Sequence, residues 1–170
     1  NRAGYVIHSA LHEFREDITC VMHSHFAPSS ALACLTPGVI EELSQTSQIL
    51  GGVSYHEYEG IAVDQAERER LAKSLGPHNK ILILKNHGVV VCGASVAEAF
   101  LLMYTLAEAA KIQMNAFSAS VTPDYLSPAA QETAVKTRKI SAGFNKEGFG
   151  VRELCAYMRK LDATDSSYRL

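Results

Sequence analysis

Apolar residues recur along this chain with two periods, one near 3.6 and one near 2, and the switches between them divide it into elements. Ile7, Leu11 and Phe14 share one helical face, which predicts a short helix over 4–14. "ITCVMHSHF" (18–26) predicts a strand, and 28–35 a short helix with Ser29 or Ser30 as its cap. "TPG" (36–38) is a breaker, and 39–50 reads as a helical turn and loop. After a glycine pair, "GGVSYHEY" (51–58) predicts a second strand. Residues 64–75 predict a charged amphipathic helix that Gly76-Pro77 ends. "KILILKNHGVVVCG" carries the clearest sheet signal: a buried strand over 80–85, a turn at Asn86-His87-Gly88, and a strand over 89–92. Ser95 with Glu98 three residues on makes a capping box. It opens a helix over 95–117 whose apolar residues occupy most faces, which suits burial or a subunit interface. Helices over 127–142 and 151–161, separated by the "GFG" break at 148–150, complete the pattern. Helices alternating with strands predict one layered α/β domain over 1–170.

Composition narrows the class. The 170 residues suit one domain with its own core, and 47% apolar with 20% charged residues describes an ordinary globular chain. A net charge of −2 with interspersed signs gives no footprint for nucleic acid. The run "DQAERERLAK" reads as a solvated helix face. Cys20, Cys34, Cys92 and Cys155 show no CxxC spacing, and several sit in apolar runs, which fits reduced thiols in a cytoplasmic protein. The polar, charged opening predicts no secretory leader, and no apolar run of about 18 residues predicts a membrane span.

The chemistry concentrates on histidine. In a strand, alternate side chains share a face, so His23 and His25 of "CVMHSHF" point the same way and can converge on one ion. His87 is the best third ligand: a polar Asn-His-Gly between two apolar strands has no packing rationale, and Gly88 permits close approach or unusual dihedrals. Three imidazoles with an open position describe a catalytic type of metal site. Ser29 and Ser30 follow the metal strand, where a helix start can hold an anion, and His56 can line the same pocket beside Glu57 or Glu59. His8 and His12 share a helix face in a structural role, Tyr104 reads as a core residue, and His78 lies in a loop. No P-loop, GxGxxG or GxSxG occurs.

Four segments in order, "AGYVIHSALHEFREDITCVMHSH", "GGVSYHEYEGIAVD", "LGPHNKILILKNHGVVVCGASVAEAFLLMY" and "LDATDSSYR", resemble the class II aldolase/adducin head-domain family, in an adducin-like flavour. The resemblance implies a three-layer α/β/α sandwich with a mostly antiparallel central sheet, assembled into tetramers. It implies a divalent ion, zinc first and manganese or iron next, on His23, His25 and His87, and an aldolase-like lyase acting on a small hydroxy-carbonyl or sugar-phosphate-like substrate. The alternative is a non-catalytic adducin-like module with actin- or spectrin-type partners. A site that only stabilises the fold fits less well, because structural zinc is usually closed by four ligands. Two departures stand out. The aldolases carry a glutamate nineteen residues before the first metal histidine, where this chain has Gly4. The family fold also begins with elements ahead of this point, so the chain is expected to represent the domain without its N-terminal portion.

Overall fold

The computed structural model describes residues 2–60, 66–144 and 147–169. Four strands form one sheet: β1 (Cys20–Ser24), β2 (Val53–His56), β3 (Ile81–Leu84) and β4 (Gly88–Gly93), in the order β1-β4-β3-β2. β4 runs antiparallel to both β1 and β3, while β2 and β3 are parallel. The sheet is therefore small and mixed, with two antiparallel pairings and one parallel, so the expected mostly antiparallel sheet is met only in part. The cause lies in the connection. β2 reaches β3 through helix α4 (Glu67–Leu75), and a strand–helix–strand crossover returns the chain in the same direction.

The α/β class holds, and helices cover both faces. Alternation along β3 and β4 splits their buried side chains between two cores. Leu82, Leu84, Val90 and Cys92 meet α1 (Arg2–Phe14) and α4 through Val6, Ile7, Leu11, Leu71 and Leu75. Ile81, Ile83, Val89 and Val91 meet α5 (Val96–Ser118) through Leu102, Leu106 and Ala109, with Ala33 of α2 (Ala27–Ala33) alongside. The uncertain stretch 39–50 holds a 3-10 turn at Glu41–Leu43 and helix α3 (Gln45–Ile49). Helices α6 (Pro128–Phe144) and α7 (Val151–Thr164) follow α5, and α7 packs against it.

Local signals explain most element ends. α4 stops at Leu75 because Gly76 takes φ +74°, and the expected helix start at 64 falls outside the described residues. Ser95 accepts the Glu98 N–H at 3.1 Å, while the Glu98 carboxylate reaches back to the Ala94 N–H at 2.7 Å and to Lys80 at 2.6 Å. α2 differs from expectation. It begins at Ala27 with Phe26 as N-cap, so Ser29 and Ser30 sit inside the helix and cap nothing. Tyr104, read as a core residue, is 40% exposed, with its ring 5.1 Å from that of Tyr157.

The buried amide of Gln113 on α5 accepts the Ile40 N–H at 2.9 Å and donates to the Gly38 carbonyl at 2.5 Å, satisfying backbone groups of the loop after α2. At the end of α1, Arg15 donates to the carbonyls of Gly76 (2.7 Å) and Asn79 (3.2 Å), tying α1 to the exit of α4. All four cysteines are free. Cys92 is buried, and that burial pushes its thiol up to about 12. Cys20 is half-buried, while Cys34 and Cys155 are exposed. No described helix is long and apolar enough to cross a membrane.

Candidate metal centre

The register of the sheet brings the histidines to one end. His23, near the end of β1, lies opposite Val90 of β4. His87 occupies the tight β3–β4 connection, where Leu84 already pairs with Gly88 and Asn86 takes φ +56° to turn the chain. His25 lies one residue beyond β1. Its ring can swing in only because position 88 is glycine: a Cβ there would stand 2.6 Å from His25 Cδ2 and 2.7 Å from the Ser24 carbonyl oxygen. Gly88 thus serves close approach, and Asn86 supplies the turn's left-handed residue.

The three rings converge. Their centroids are 4.5 Å (His23–His25), 5.0 Å (His23–His87) and 4.7 Å (His25–His87) apart. One nitrogen from each lies within 4.8 Å of the others, and the Nε2 atoms of His23 and His25 are 2.8 Å apart. His23 Nδ1 stands 3.0 Å from the Val89 carbonyl, which can only accept, so Nδ1 carries the proton and Nε2 presents its lone pair to the cluster. Burial, above all, holds the His23 pKa below the ordinary value, and the Val89 carbonyl opposes that only in part. Burial and then His25 lower that of His87. Imidazole nitrogens converging on one point are the donor set that zinc and its neighbours take.

These rings line one side of a cavity of ≈ 330 Å³, with Gly4 and Ile7 of α1 and Tyr58 on the other sides. That volume accommodates a small ligand. Gly4 faces open space, since a Cβ there would meet nothing within 4 Å. No carboxylate is among the described residues lining this cavity.

A profile of the family "Class II Aldolase and Adducin N-terminal domain" matches residues 1–114. The chain belongs to the class II aldolase and adducin family. An adducin-related protein of Schizosaccharomyces pombe is 42% identical over 99% of this chain and 52% of its own length. Rat alpha-adducin is 36% identical over 95% of this chain and 23% of its own. The crystal structure of an aldolase II superfamily protein from Pseudomonas syringae superposes with a TM-score of 0.88 at 34% identity, over 99% of this chain and 66% of that one. The chain therefore spans about half of the first of these curated relatives and under a quarter of the second.

Within this class II aldolase/adducin domain, the other residues singled out in the sequence fall elsewhere. Ser29 is fully buried and Ser30 half-buried in α2, and neither lines the cavity. Glu57 pairs with Lys85 at 2.5 Å and Glu59 with Arg70 at 2.6 Å. His12 Nδ1 is 3.1 Å from the Ile18 carbonyl, His8 is half-buried, and His78 is exposed. His56 faces a second, smaller cavity that shares Ile7, Tyr58, Gly60 and His87 with the first. Glu67 lies there too. It belongs to the charged run that reads as a solvated face, yet it is only 5% exposed. The missed signal was its spacing from Leu71 and Leu75, which places all three on the buried side of α4.

Proposed function

We propose that this domain carries the metal centre of an aldolase-like lyase acting on a small hydroxy-carbonyl or sugar-phosphate-like compound in the cytoplasm. The observation that carries the reading is the convergence of His23, His25 and His87 on one wall of a ligand-sized cavity. The residues fit a divalent ion, zinc before manganese or iron: three imidazole nitrogen donors, one with its tautomer set by a backbone carbonyl, and an open side toward the cavity. When bound, such an ion supplies Lewis acidity toward a carbonyl or hydroxyl oxygen. The chain's own contribution is positional. The β1–β4 pairing and the His87 turn set the donors, and Gly4, Ile7 and Tyr58 bound the space a substrate takes.

Proton transfer has to come from a group other than a carboxylate in the described lining, because Gly4 stands where the aldolases carry glutamate. That same glycine, with the likeness to alpha-adducin, favours a second reading as a binding module with actin- or spectrin-type partners. Exposed Tyr104, Tyr157, Met158 and Leu161 on α5 and α7 offer a face for self-assembly, and a homotetramer is the assembly we propose.

Metal content separates the readings. Protein purified without chelator or nickel column should lose about one equivalent of metal per chain when His23 and His25 are both replaced by alanine, with circular dichroism confirming the fold. Equal metal content in the two proteins would refute the three-histidine site and favour the binding module.

A further inference from the structure

We propose that His56, Glu67 and Glu59 form a second divalent-cation site, separate from the three-histidine cluster and behind a shared wall. His56 ends β2 and is only 5% exposed, and its Nε2 has no hydrogen-bond partner. That atom aims at two carboxylates: Oε1 of Glu67 at 3.6 Å and Oε1 of Glu59 at 3.7 Å. Ligand atoms of the three residues lie within 4.8 Å of one another. The space they face, with Leu84 beneath, is a cavity of ≈ 10 Å³, the size of a single ion or water.

The distances discriminate between occupants. A charge-assisted hydrogen bond from an imidazolium to a carboxylate closes to about 2.7–2.9 Å. Neither carboxylate comes that close, although both flank the same nitrogen. Two donors bound to one ion at about 2.0–2.2 Å each stand roughly 3.3–3.7 Å from one another at tetrahedral to trigonal angles, which is the separation seen. The other ring nitrogen agrees. His56 Nδ1 is 2.9 Å from the Ser74 hydroxyl, and when it donates there, the Nε2 lone pair faces two carboxylates. That arrangement repels when buried without a cation between. Glu67, in the first turn of α4, is the second firm donor. Glu59 shares its carboxylate with Arg70, at 2.6 to 3.0 Å from both oxygens, so it supplies the outer donor with Arg70 orienting it. One imidazole with carboxylates selects zinc, manganese or ferrous iron over calcium or magnesium.

The test uses zinc alone, titrated into the full chain with both His23 and His25 changed to alanine, which removes the first site. That protein should still bind about one zinc per chain, and binding should fall at least tenfold on adding the near-isosteric Glu67→Gln or His56→Gln. Zinc should raise the melting temperature of the His-variant background and lose that effect with Glu67→Gln, a comparison that exposes a variant that has merely unfolded. No zinc bound in the background, or binding indifferent to both added changes, overturns the second site. The two readings fail separately, since the first is judged by the difference between wild type and the His variant, and the second by what the His variant retains.

Discussion

Replacing Gly88 by alanine should disable the three-histidine cluster while leaving the fold in place. The new Cβ would lie 2.6 Å from His25 Cδ2 and 2.7 Å from the Ser24 carbonyl oxygen. To regain an ordinary separation the His25 ring must retreat by about 1 Å. The carbonyl cannot follow, because Ser24 is held in the β1–β4 ladder opposite Val89. Ligand sets tolerate misplacement of about 0.5 Å, so the affinity for zinc should drop roughly 10- to 100-fold. Overpacking costs about 1–3 kcal/mol, and the reduced freedom of the unfolded chain returns about 0.4–1 kcal/mol of it. The Ser24 contact is with backbone that cannot move aside, so the net loss of stability should fall at the upper end, about 2–3 kcal/mol. Competitive titration against a chromophoric chelator gives the affinity, and urea denaturation gives the stability. Wild-type zinc affinity in a folded Gly88→Ala protein would show that His25 does not need its present position to serve the cluster.

Three further outcomes follow from described contacts. Gly4→Glu adds a carboxylate where a Cβ meets no atom within 4 Å. It should raise zinc affinity about tenfold and stabilise α1 by up to about 1 kcal/mol, and an unchanged chelator titration would count against Gly4 overlooking the donors. Gln113→Ala orphans the Ile40 N–H and the Gly38 carbonyl, and should cost about 2–4 kcal/mol in urea denaturation; a loss below about 0.5 kcal/mol would mean the loop finds other partners. Hydrogen bonding from Arg15 lowers the Asp17 carboxyl to about 2. A depressed pKa gives stability that is present above the ordinary carboxylate range and lost as pH falls from about 4 toward about 2. With the Asp17 side chain 55% exposed, solvent screening limits this to about 0.5 kcal/mol. The gap in urea midpoint between wild type and Asp17→Asn should close over that pH window, and a gap unchanged at its acid end would refute the pair.

Much of this architecture was legible because its signals are local. Periodicity located each strand and most helices, and the glycine at 76 and the Ser95–Glu98 pair marked real ends. His23, His25 and His87 were legible for a related reason: two sit two residues apart, and the third interrupts an apolar run where packing gives it no purpose. The failures are of another kind. Ser29 reads as a cap by residue type, yet the helix begins earlier because Pro28 fits its first turn. The second cluster was legible only in part: His56 and Glu59 lie three residues apart, but Glu67 comes from the start of α4 and joins them only when that helix packs back over β2. Charge density on α4 suggested solvent and masked the spacing that puts Glu67 on the same buried side as Leu71 and Leu75.

Among the described residues, β1 pairs with β4 alone. His23 and His25 ride on or just past that strand, while His87 belongs to the central hairpin, so the cluster straddles the seam between them. Whatever grips the three nitrogens therefore works as a clasp across the seam, closing a loop of some sixty residues between His25 and His87. Linkage makes the effect mutual: peeling β1 away dismantles the clasp, and a filled clasp resists peeling. On the proposed reading, ion binding at the three histidines and the pairing of β1 with β4 are thus one equilibrium, and a chelator should act on both together.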